Sequence, residues 1–292
     1  MRRLYVAQLG LGISLLCSSP AISRPLTVAT FNIAWYGLNG NPDNEADTET
    51  RDQSLKLFID RHLSDADVIA FEEIVDVDRL TTNVLGSSRN CVSYNNPDPK
   101  HQHVVICVKP NLKFEKLRID NNYTIESVAM GRYRPAVHGV VKTLAGETLA
   151  YILAVHLKAA PEGAEIRQTQ IESLANYVNR HVHGVPILML GDFNTQEGEA
   201  VLFQDAFTAA GLNLSEIENQ NRYTFNDTEF KNKFDRFWIS DEARTVVAPE
   251  VFGPCNLNNS QQSTTAIQRY MRTISDHCPV KLTFETNVSI NR

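Results

Sequence analysis

The sequence of 292 residues has no apolar run long enough to span a bilayer comfortably, since a membrane helix needs ~20 apolar residues and the longest stretch covers only 4–17. It also has no internal repeat and no low-complexity segment. Basic residues do not dominate: 28 Lys and Arg stand against 34 Asp and Glu, for a formal net charge of −6. These absences predict a globular chain with one substantial core, which does not attract nucleic acid through bulk positive charge.

The stretch over 4–17 is instead typical of an export signal. Arg2 and Arg3 precede it, and Ala21 and Ser23 fit the −3 and −1 positions of a signal peptidase site. Leu16 is too large for the residue before a lipoprotein cysteine. We therefore expect a signal peptide over 1–23, a single domain over 24–292, and export to the periplasm or the extracellular medium. Cleavage makes the chain more acidic still, so divalent metal and a local cluster of Arg and Lys would have to attract a phosphate-rich substrate.

Cysteine is scarce: the chain has five, and no two stand in a Cys-x-x-Cys spacing, which argues against a zinc site. Four of them follow the predicted signal peptide. An even number in an oxidising compartment indicates disulfides, with three pairings open. We favour Cys91–Cys107 and Cys255–Cys278, because the members of each pair are close in sequence.

Apolar residues at helical spacing predict helices over 50–63, 77–85, 166–182 and 200–210. Runs rich in apolar and β-branched residues predict strands over 26–32, 67–71, 91–94, 104–108, 112–119, 136–141, 149–155, 187–190 and 234–240, and a last strand that ends near 284.

The run over 187–190 is short and apolar throughout, as expected of a strand buried on both faces. It ends at Gly191 and then presents Asp192 and Asn194. Residues i and i+2 on extended backbone point to one side, so this carboxylate and this amide would face the same spot. An Asp-Asn turn that merely caps a strand explains the motif equally well when the motif is taken alone.

Other predicted strands carry polar residues at their ends in the same way. Glu72 and Glu73 are adjacent, so only one of them can reach a shared site, and a solvated strand end suits Glu72. The polar residues at the strand ends are Asn32, Glu73, His156, Asp192 with Asn194, Asp235, and Asp276 with His277. Each has a common structural explanation by itself, but together they contain only metal-binding and acid–base residue types, which indicates a hydrolytic site.

Six motifs in this order make the chain resemble the endonuclease/exonuclease/phosphatase superfamily, which has the DNase I-like fold, and within it the bacterial secreted nucleases. The motifs lie at 30–32, 67–74, 155–158, 191–195, 234–236 and 275–280. The resemblance implies an α/β (α+β) fold, a four-layer α/β/β/α sandwich of two packed mixed β-sheets. Where the family usually has Gln-Glu, this chain has Glu72-Glu73.

The resemblance also implies roles for the residues at the strand ends. Glu73 would be the main ligand of Mg²⁺ or Mn²⁺, with Ca²⁺ as a further candidate, and Asn32 and Asp276 would complete or support its coordination. His277 would be the general base, held by Asp235.

The remaining polar residues would act on the water and the phosphate. Asp192 and Asn194 would orient the attacking water and the phosphate oxygens, although in some members the counterpart of Asp192 is itself the base. His156 would stabilise the pentacovalent phosphate or assist the leaving oxygen.

Three basic residues are candidates for contact with backbone phosphates: Arg132, Arg134 and Lys158. Arg132 and Arg134 flank Tyr133 just before a predicted strand, where a phosphate clamp and ordinary surface charge are about equally good explanations.

The expected activity is hydrolysis of nucleic acid by a monomer, with DNA as the first candidate and RNA as the second. A secreted sphingomyelinase is the main alternative. Such enzymes usually carry an exposed apolar hairpin for membranes, whereas the candidate insertions over 95–102 and 256–265 are polar. An inositol polyphosphate phosphatase would have the pattern Pro-Ala-Trp-Cys-Asp-Arg around Asp235, which this chain lacks. The catalytic subunit of a cytolethal distending toxin is a further alternative, and such a chain would work with partner subunits. A binding protein that kept the fold without catalysis should have lost residues at the strand ends, and none is lost.

Overall fold

The computed structural model describes residues 24–38, 48–119, 121–196, 198–219, 223–226, 231–256 and 264–286. The predicted signal peptide lies outside them. No described helix is both long enough and apolar enough to cross a membrane.

Strands and helices alternate along the described chain. The strands are β1 (Pro25–Tyr36), β2 (Val68–Ile74), β3 (Asn90–Val92), β4 (His103–Val108), β5 (Leu112–Glu115), β6 (Thr124–Ile125), β7 (Ala136–Thr143), β8 (Thr148–His156), β9 (Ile187–Asp192), β10 (Leu214–Glu216), β11 (Phe225–Asn226), β12 (Lys231–Asn232), β13 (Asp235–Ser240), β14 (Ala243–Val251) and β15 (Val280–Thr286). The helices are α1 (Thr48–His62), α2 (Val77–Arg79), which continues as a π-helical segment (Leu80–Leu85), α3 (Ala164–His181), α4 (Glu199–Ala209) and α5 (Thr264–Thr273).

Two large sheets contain most of these strands. Sheet A has the order β14-β15-β1-β2-β4-β3, and sheet B has the order β10-β13-β9-β8-β7-β5, with β6 also paired to β7. Both sheets are mixed, because β1 runs parallel to β2 and β8 parallel to β9, while the neighbouring pairs are antiparallel. β11 and β12 form a separate small hairpin.

Apolar side chains divide the molecule into four layers. Residues such as Val28 of β1 and Ile152 of β8 share a core between the two sheets. Leu55 of α1 packs with the other face of sheet A, and Leu174 of α3 packs with the other face of sheet B. This helix–sheet–sheet–helix arrangement confirms the predicted fold class.

The position of strand β9 between two cores explains why its sequence is apolar throughout. Leu188 and Leu190 point into the core between the sheets, while Met189 points into the core under the helices. At its end, Gly191 has φ +136°, and a Cβ there would lie 2.1 Å from the Val155 carbonyl oxygen. Only glycine therefore allows β9 to approach the end of β8 so closely.

The element predictions were mostly right. Helices α1, α3 and α4 begin and end within two residues of the predicted bounds, whereas the strand predicted over 112–119 ends at Glu115. Strands β10 and β14 and helix α5 were not predicted. Strand β14 is an edge strand with mostly exposed or half-buried side chains, so it lacks the apolar alternation that reveals a strand.

Two disulfides join segments of sheet A. Cys91 of β3 is bonded to Cys107, which lies directly opposite it on β4. Cys255, shortly after β14, is bonded to Cys278, just before β15. The second disulfide thus adjoins His277, one of the predicted site residues.

Candidate active site

The register of sheet B places three of the predicted residues side by side. His156 at the end of β8 pairs with Asp192 at the end of β9, and Asp192 pairs in turn with Asp235 at the start of β13. All three side chains are buried. Residues from separate parts of the sequence thus form one row at one edge of the sheet.

Sheet A contributes Glu73 through a β-bulge. Phe71 pairs with Val105 and Ile74 with His103, so two residues of β2 oppose one of β4, and Glu73 has φ +61°. A positive φ is uncommon for a residue with a side chain, and here it redirects the carboxylate towards sheet B.

Asn32 links the two sheets at this point. Its Nδ2 donates to Glu73 Oε1 at 3.1 Å and to Asp192 Oδ2 at 2.9 Å, while its Oδ1 accepts from the Ala34 amide at 3.0 Å. The other carboxylate oxygen of Glu73 accepts from the Trp35 amide at 3.1 Å. The two acids therefore have fixed positions before any ligand binds.

One group of side chains fits a divalent cation. Ligand atoms of Glu73, His156 and Asp192 lie within 4.8 Å of one another, with His156 Nε2 at 3.7 Å from Glu73 Oε1 and 3.5 Å from Asp192 Oδ2. Asp276 is half-buried, and burial followed by the charge of Asp276 raises the pKa of Glu73. Carboxylates gathered in one place suit Mg²⁺ or Mn²⁺, which prefer oxygen ligands.

The two histidines have opposite charge preferences. Burial opposes a charge on His277, but Asp235 Oδ2 lies 2.9 Å from its Nδ1, and the Asp235 charge and hydrogen bond raise the pKa of His277 well above its usual value. Burial, and then the charges of Arg134 and His277, lower the pKa of His156 well below its usual value. Burial raises the pKa of Asp192 to about 7, and its Oδ2 lies 3.8 Å from His277 Nε2.

The structure corrects the prediction for Glu72, the acid next to Glu73 on β2. Glu72 is 0% exposed rather than solvated, and its Oε1 accepts from Thr30 Oγ1 at 2.9 Å. Burial, and next the charge of Asp235, raise its pKa well above the usual value. Glu72 continues the alternation of Val68 and Ala70, which face the core between the sheets, so the opposite sheet covers it, while the bulge turns Glu73 into the site.

The predicted phosphate-binding residues differ in their surroundings. Arg132 is exposed, with its guanidinium 4.9 Å from the centre of the Tyr133 ring, and Lys158 Nζ donates to the Ala159 carbonyl at 2.5 Å. Arg134 is half-buried and donates to the carbonyls of His156 and Leu157.

Asn194 lies beside this row of residues. It has φ +50°, its amide donates to Asp192 Oδ1 at 2.8 Å, and its Nδ2 donates to the Leu157 carbonyl at 3.2 Å. The backbone amide of Asn194 therefore helps to fix the position of the Asp192 carboxylate.

Sequence reasoning missed two hydroxyl residues that hold the Asp235–His277 pair. Thr224 is buried, and its Oγ1 accepts from the amides of Phe234 and Asp235, both at 3.0 Å. Ser275 Oγ donates to the Asn32 carbonyl at 2.7 Å and accepts from the His277 amide at 3.0 Å. Only the position of Ser275 beside Asp276 offered a signal, and Thr224 offered none.

Comparison with known proteins agrees with this geometry. Residues 29–277 match the Endonuclease/Exonuclease/phosphatase family. No curated protein matches the chain closely enough in sequence to count as a relative.

Solved structures with low sequence identity share the fold. Humanized D. rerio TDP2 has a TM-score of 0.65 at 17% identity, covering 90% of this chain and 99% of that one. ANGEL2, a 2′,3′-cyclic phosphatase crystallised with adenosine-2′,3′-vanadate, has a TM-score of 0.65 at 14% identity, covering 91% and 96%. The endonuclease/exonuclease/phosphatase from Bacteroides vulgatus has a TM-score of 0.61 at 16% identity, covering 90% and 99%.

Proposed function

Because this chain belongs to the endonuclease/exonuclease/phosphatase family, whose members hydrolyse phosphoester bonds, we propose that it is an exported, metal-dependent nuclease. DNA is the first candidate substrate and RNA the second. The observation that carries the proposal is the contact of Asn32 with both Glu73 and Asp192, at 3.1 and 2.9 Å. It brings the acids of two sheets to one point, beside both histidines.

A divalent cation, Mg²⁺ or Mn²⁺, would be held chiefly by Glu73 with Asp276 in support, and Asn32 would contribute by fixing the Glu73 carboxylate through Nδ2, because its Oδ1 accepts from the Ala34 amide. When bound, it supplies positive charge that offsets the charge developing on the phosphate. The remaining chemistry belongs to the side chains.

The attacking water loses its proton to Asp192, with His277 beside it. Asp192 is suited to accept it, because its pKa of about 7 lets it change protonation state near neutral pH. The raised pKa of His277 favours the charged imidazolium, so His277 supports Asp192 with a positive charge 3.8 Å from Oδ2 and acts as the acid partner, rather than as the base that the resemblance implies, while Asp235 holds the ring in place. Asn194, bonded to Asp192 through its amide, orients the water and a phosphate oxygen.

Hydrogen-bond donors on β8 and near it stabilise the phosphate and assist the leaving oxygen. A neutral His156 can donate from Nε2 to a phosphate oxygen as negative charge grows there, and it adds no resting charge to the site. Arg132 and Lys158 would contact neighbouring backbone phosphates, and Arg134 would add positive charge from behind β8. The bond between phosphorus and the leaving oxygen breaks as the water oxygen bonds to phosphorus.

The structural neighbours support a nucleic acid substrate in general terms. D. rerio TDP2 has been crystallised with a single-strand DNA product, and ANGEL2 with a nucleotide vanadate. The two disulfides are compatible with an exported enzyme that meets nucleic acid outside the cell.

One assay on purified protein tests the proposal. Supercoiled plasmid and sphingomyelin liposomes are incubated separately with enzyme and Mg²⁺, with and without chelator, and His277→Ala serves as the control for contaminating nuclease. Nicking that requires both metal and His277 is expected, with intact liposomes. Release of choline phosphate from liposomes, with the plasmid left intact, would show that the substrate is a phospholipid and not nucleic acid. Inactivity on both substrates would favour a non-catalytic protein of this fold.

A further inference from the structure

Gln102 joins the main candidate metal ligand to the opposite sheet. It lies in the loop before β4 and is only 9% exposed. Its Nε2 donates to Glu73 Oε2 at 2.7 Å, and its Oε1 accepts from Arg134 Nη1 at 2.9 Å. Neither the strand-end pattern nor the proposed function gives this residue a role.

The two partners determine the orientation of the Gln102 amide. An ionised carboxylate only accepts hydrogen bonds and a guanidinium only donates them. A flipped amide would place its oxygen against Glu73 and its NH₂ group against Arg134, losing both bonds. A glutamate at this position would repel Glu73, and an apolar residue would pair with neither. The position therefore suits glutamine in a single orientation.

Arg134 carries the connection onward into sheet B. Its Nε donates to the His156 carbonyl at 3.1 Å and its Nη2 to the Leu157 carbonyl at 2.9 Å. Glu73 lies on sheet A, and His156 ends β8 of sheet B. The chain of contacts Glu73–Gln102–Arg134–His156 thus spans the gap between the sheets at the end where the site lies.

We infer that Gln102 is a positioning residue for the metal centre: it fixes the Glu73 carboxylate relative to His156, with Arg134 as its anchor. The inference rests on the proposed function, because it presumes that Glu73 binds the cation. Gln102 donates one hydrogen bond to Glu73 Oε2, which leaves Oε1, the oxygen bonded to Asn32 and nearest to His156, directed into the site. Partners behind a ligand commonly contribute about 10- to 100-fold to metal affinity.

The test measures Mn²⁺ binding to the full-length mature protein by electron paramagnetic resonance, without substrate. Gln102→Met keeps the size of the side chain and removes both hydrogen bonds, and it should raise the Kd for Mn²⁺ by about 10- to 100-fold. Gln170→Met is the matched control. Gln170 is also buried with two hydrogen bonds, from the Lys158 amide and to the Val128 carbonyl, but it does not contact Glu73. Its Kd should stay at the wild-type value.

A second variant protects the test against misfolding of the first. Arg134→Lys keeps the positive charge but loses the guanidinium that reaches Gln102 and both carbonyls, so it should weaken Mn²⁺ binding in the same direction, whereas a residue that only binds substrate phosphate would leave the metal Kd of the free enzyme unchanged. Wild-type affinity in a folded Gln102→Met protein, or equal losses in Gln102→Met and Gln170→Met, would overturn the inference alone. A wild-type protein that binds no Mn²⁺ would overturn the proposed metal centre and this inference together.

Discussion

Replacing Glu72 by glutamine should stabilise the protein, and the gain should grow with pH. Glu72 is fully buried, its Oε1 accepts one hydrogen bond from Thr30, and its pKa is raised well above the usual value by burial and by Asp235. The folded protein therefore keeps a proton on Glu72 in a pH range where the unfolded chain has lost it. Glutamine has the same shape and is neutral at every pH.

The sign and size follow from proton linkage. Above the ordinary titration range of glutamate, the folded state binds more protons than the unfolded state, so the free energy of unfolding falls as pH rises. Each pH unit costs about 1.4 kcal/mol for one full proton. Between pH 5 and pH 7 the wild type should lose up to about 2.7 kcal/mol through this residue, and Glu72→Gln should not lose it.

The assay is urea unfolding of both proteins from pH 5 to pH 7 in chelator, so that bound metal does not contribute. The difference between the two free energies of unfolding isolates Glu72, because the shift of Asp192 is common to both proteins. Glu147→Gln removes an exposed carboxylate on the turn between β7 and β8 and should give a flat difference. A flat difference for Glu72→Gln as well, or one that shrinks as pH rises, would refute the reasoning.

Three further substitutions test the site itself. His277→Ala should lower kcat by about 10²- to 10⁴-fold, as expected for loss of an acid–base group, while circular dichroism stays unchanged. Wild-type turnover would remove His277 from the mechanism. Glu73→Gln should shift the Mg²⁺ titration of activity to higher concentration, and an identical titration would argue against Glu73 as the main ligand. Thr224→Val deprives the amides of Phe234 and Asp235 of their acceptor, and at about 1–3 kcal/mol for each unsatisfied buried group it should lower both stability and kcat, as measured by urea unfolding and by plasmid nicking. Thr224→Ser keeps the hydroxyl, so equal losses in Thr224→Ser and Thr224→Val would show that the hydrogen bonds are not the cause.

The polar residues at the strand ends could be predicted from the sequence because the pattern that reveals them spans only a few neighbouring residues. An apolar run followed by Asp192 or His156 is visible in a few residues, and buried parallel strands necessarily bring their ends to one edge. The structure pairs His156 with Asp192 at the ends of the parallel strands β8 and β9, and pairs Asp192 with Asp235 at the start of the antiparallel β13. The four-layer architecture came from the family resemblance, since strand periodicity fits several α/β folds.

Residues that support the site leave no such local pattern. Gln102 meets Glu73 across 29 positions and Arg134 across 32, and Thr224 meets Asp235 across 11. Their roles depend on which segments the fold brings together, so an isolated glutamine or threonine in a polar loop looks ordinary. The error on Glu72 has the same origin: the strand end was expected to be solvated, but the alternation of Val68 and Ala70 points Glu72 at the opposite sheet, where Asp235 and Asp192 lie near it.

The site can form only where the two sheets meet, and this explains how so many acids share one place. Asn32 bonds to Asp192 across 160 positions, and Ser275 bonds to the Asn32 carbonyl across 243. Docking the sheets desolvates Glu72, Glu73, Asp192 and Asp235 together, which would be prohibitive if all were ionised. The fold reduces this cost without a ligand: Glu72 retains its proton, Asp192 has a pKa of about 7, and the pKa of His277 is raised so that it carries a positive charge. At Glu73 the charge of Asp276 adds to the effect of burial, and the Glu73 side chain is 16% exposed, so a divalent cation bound there would offset negative charge at a point that solvent reaches.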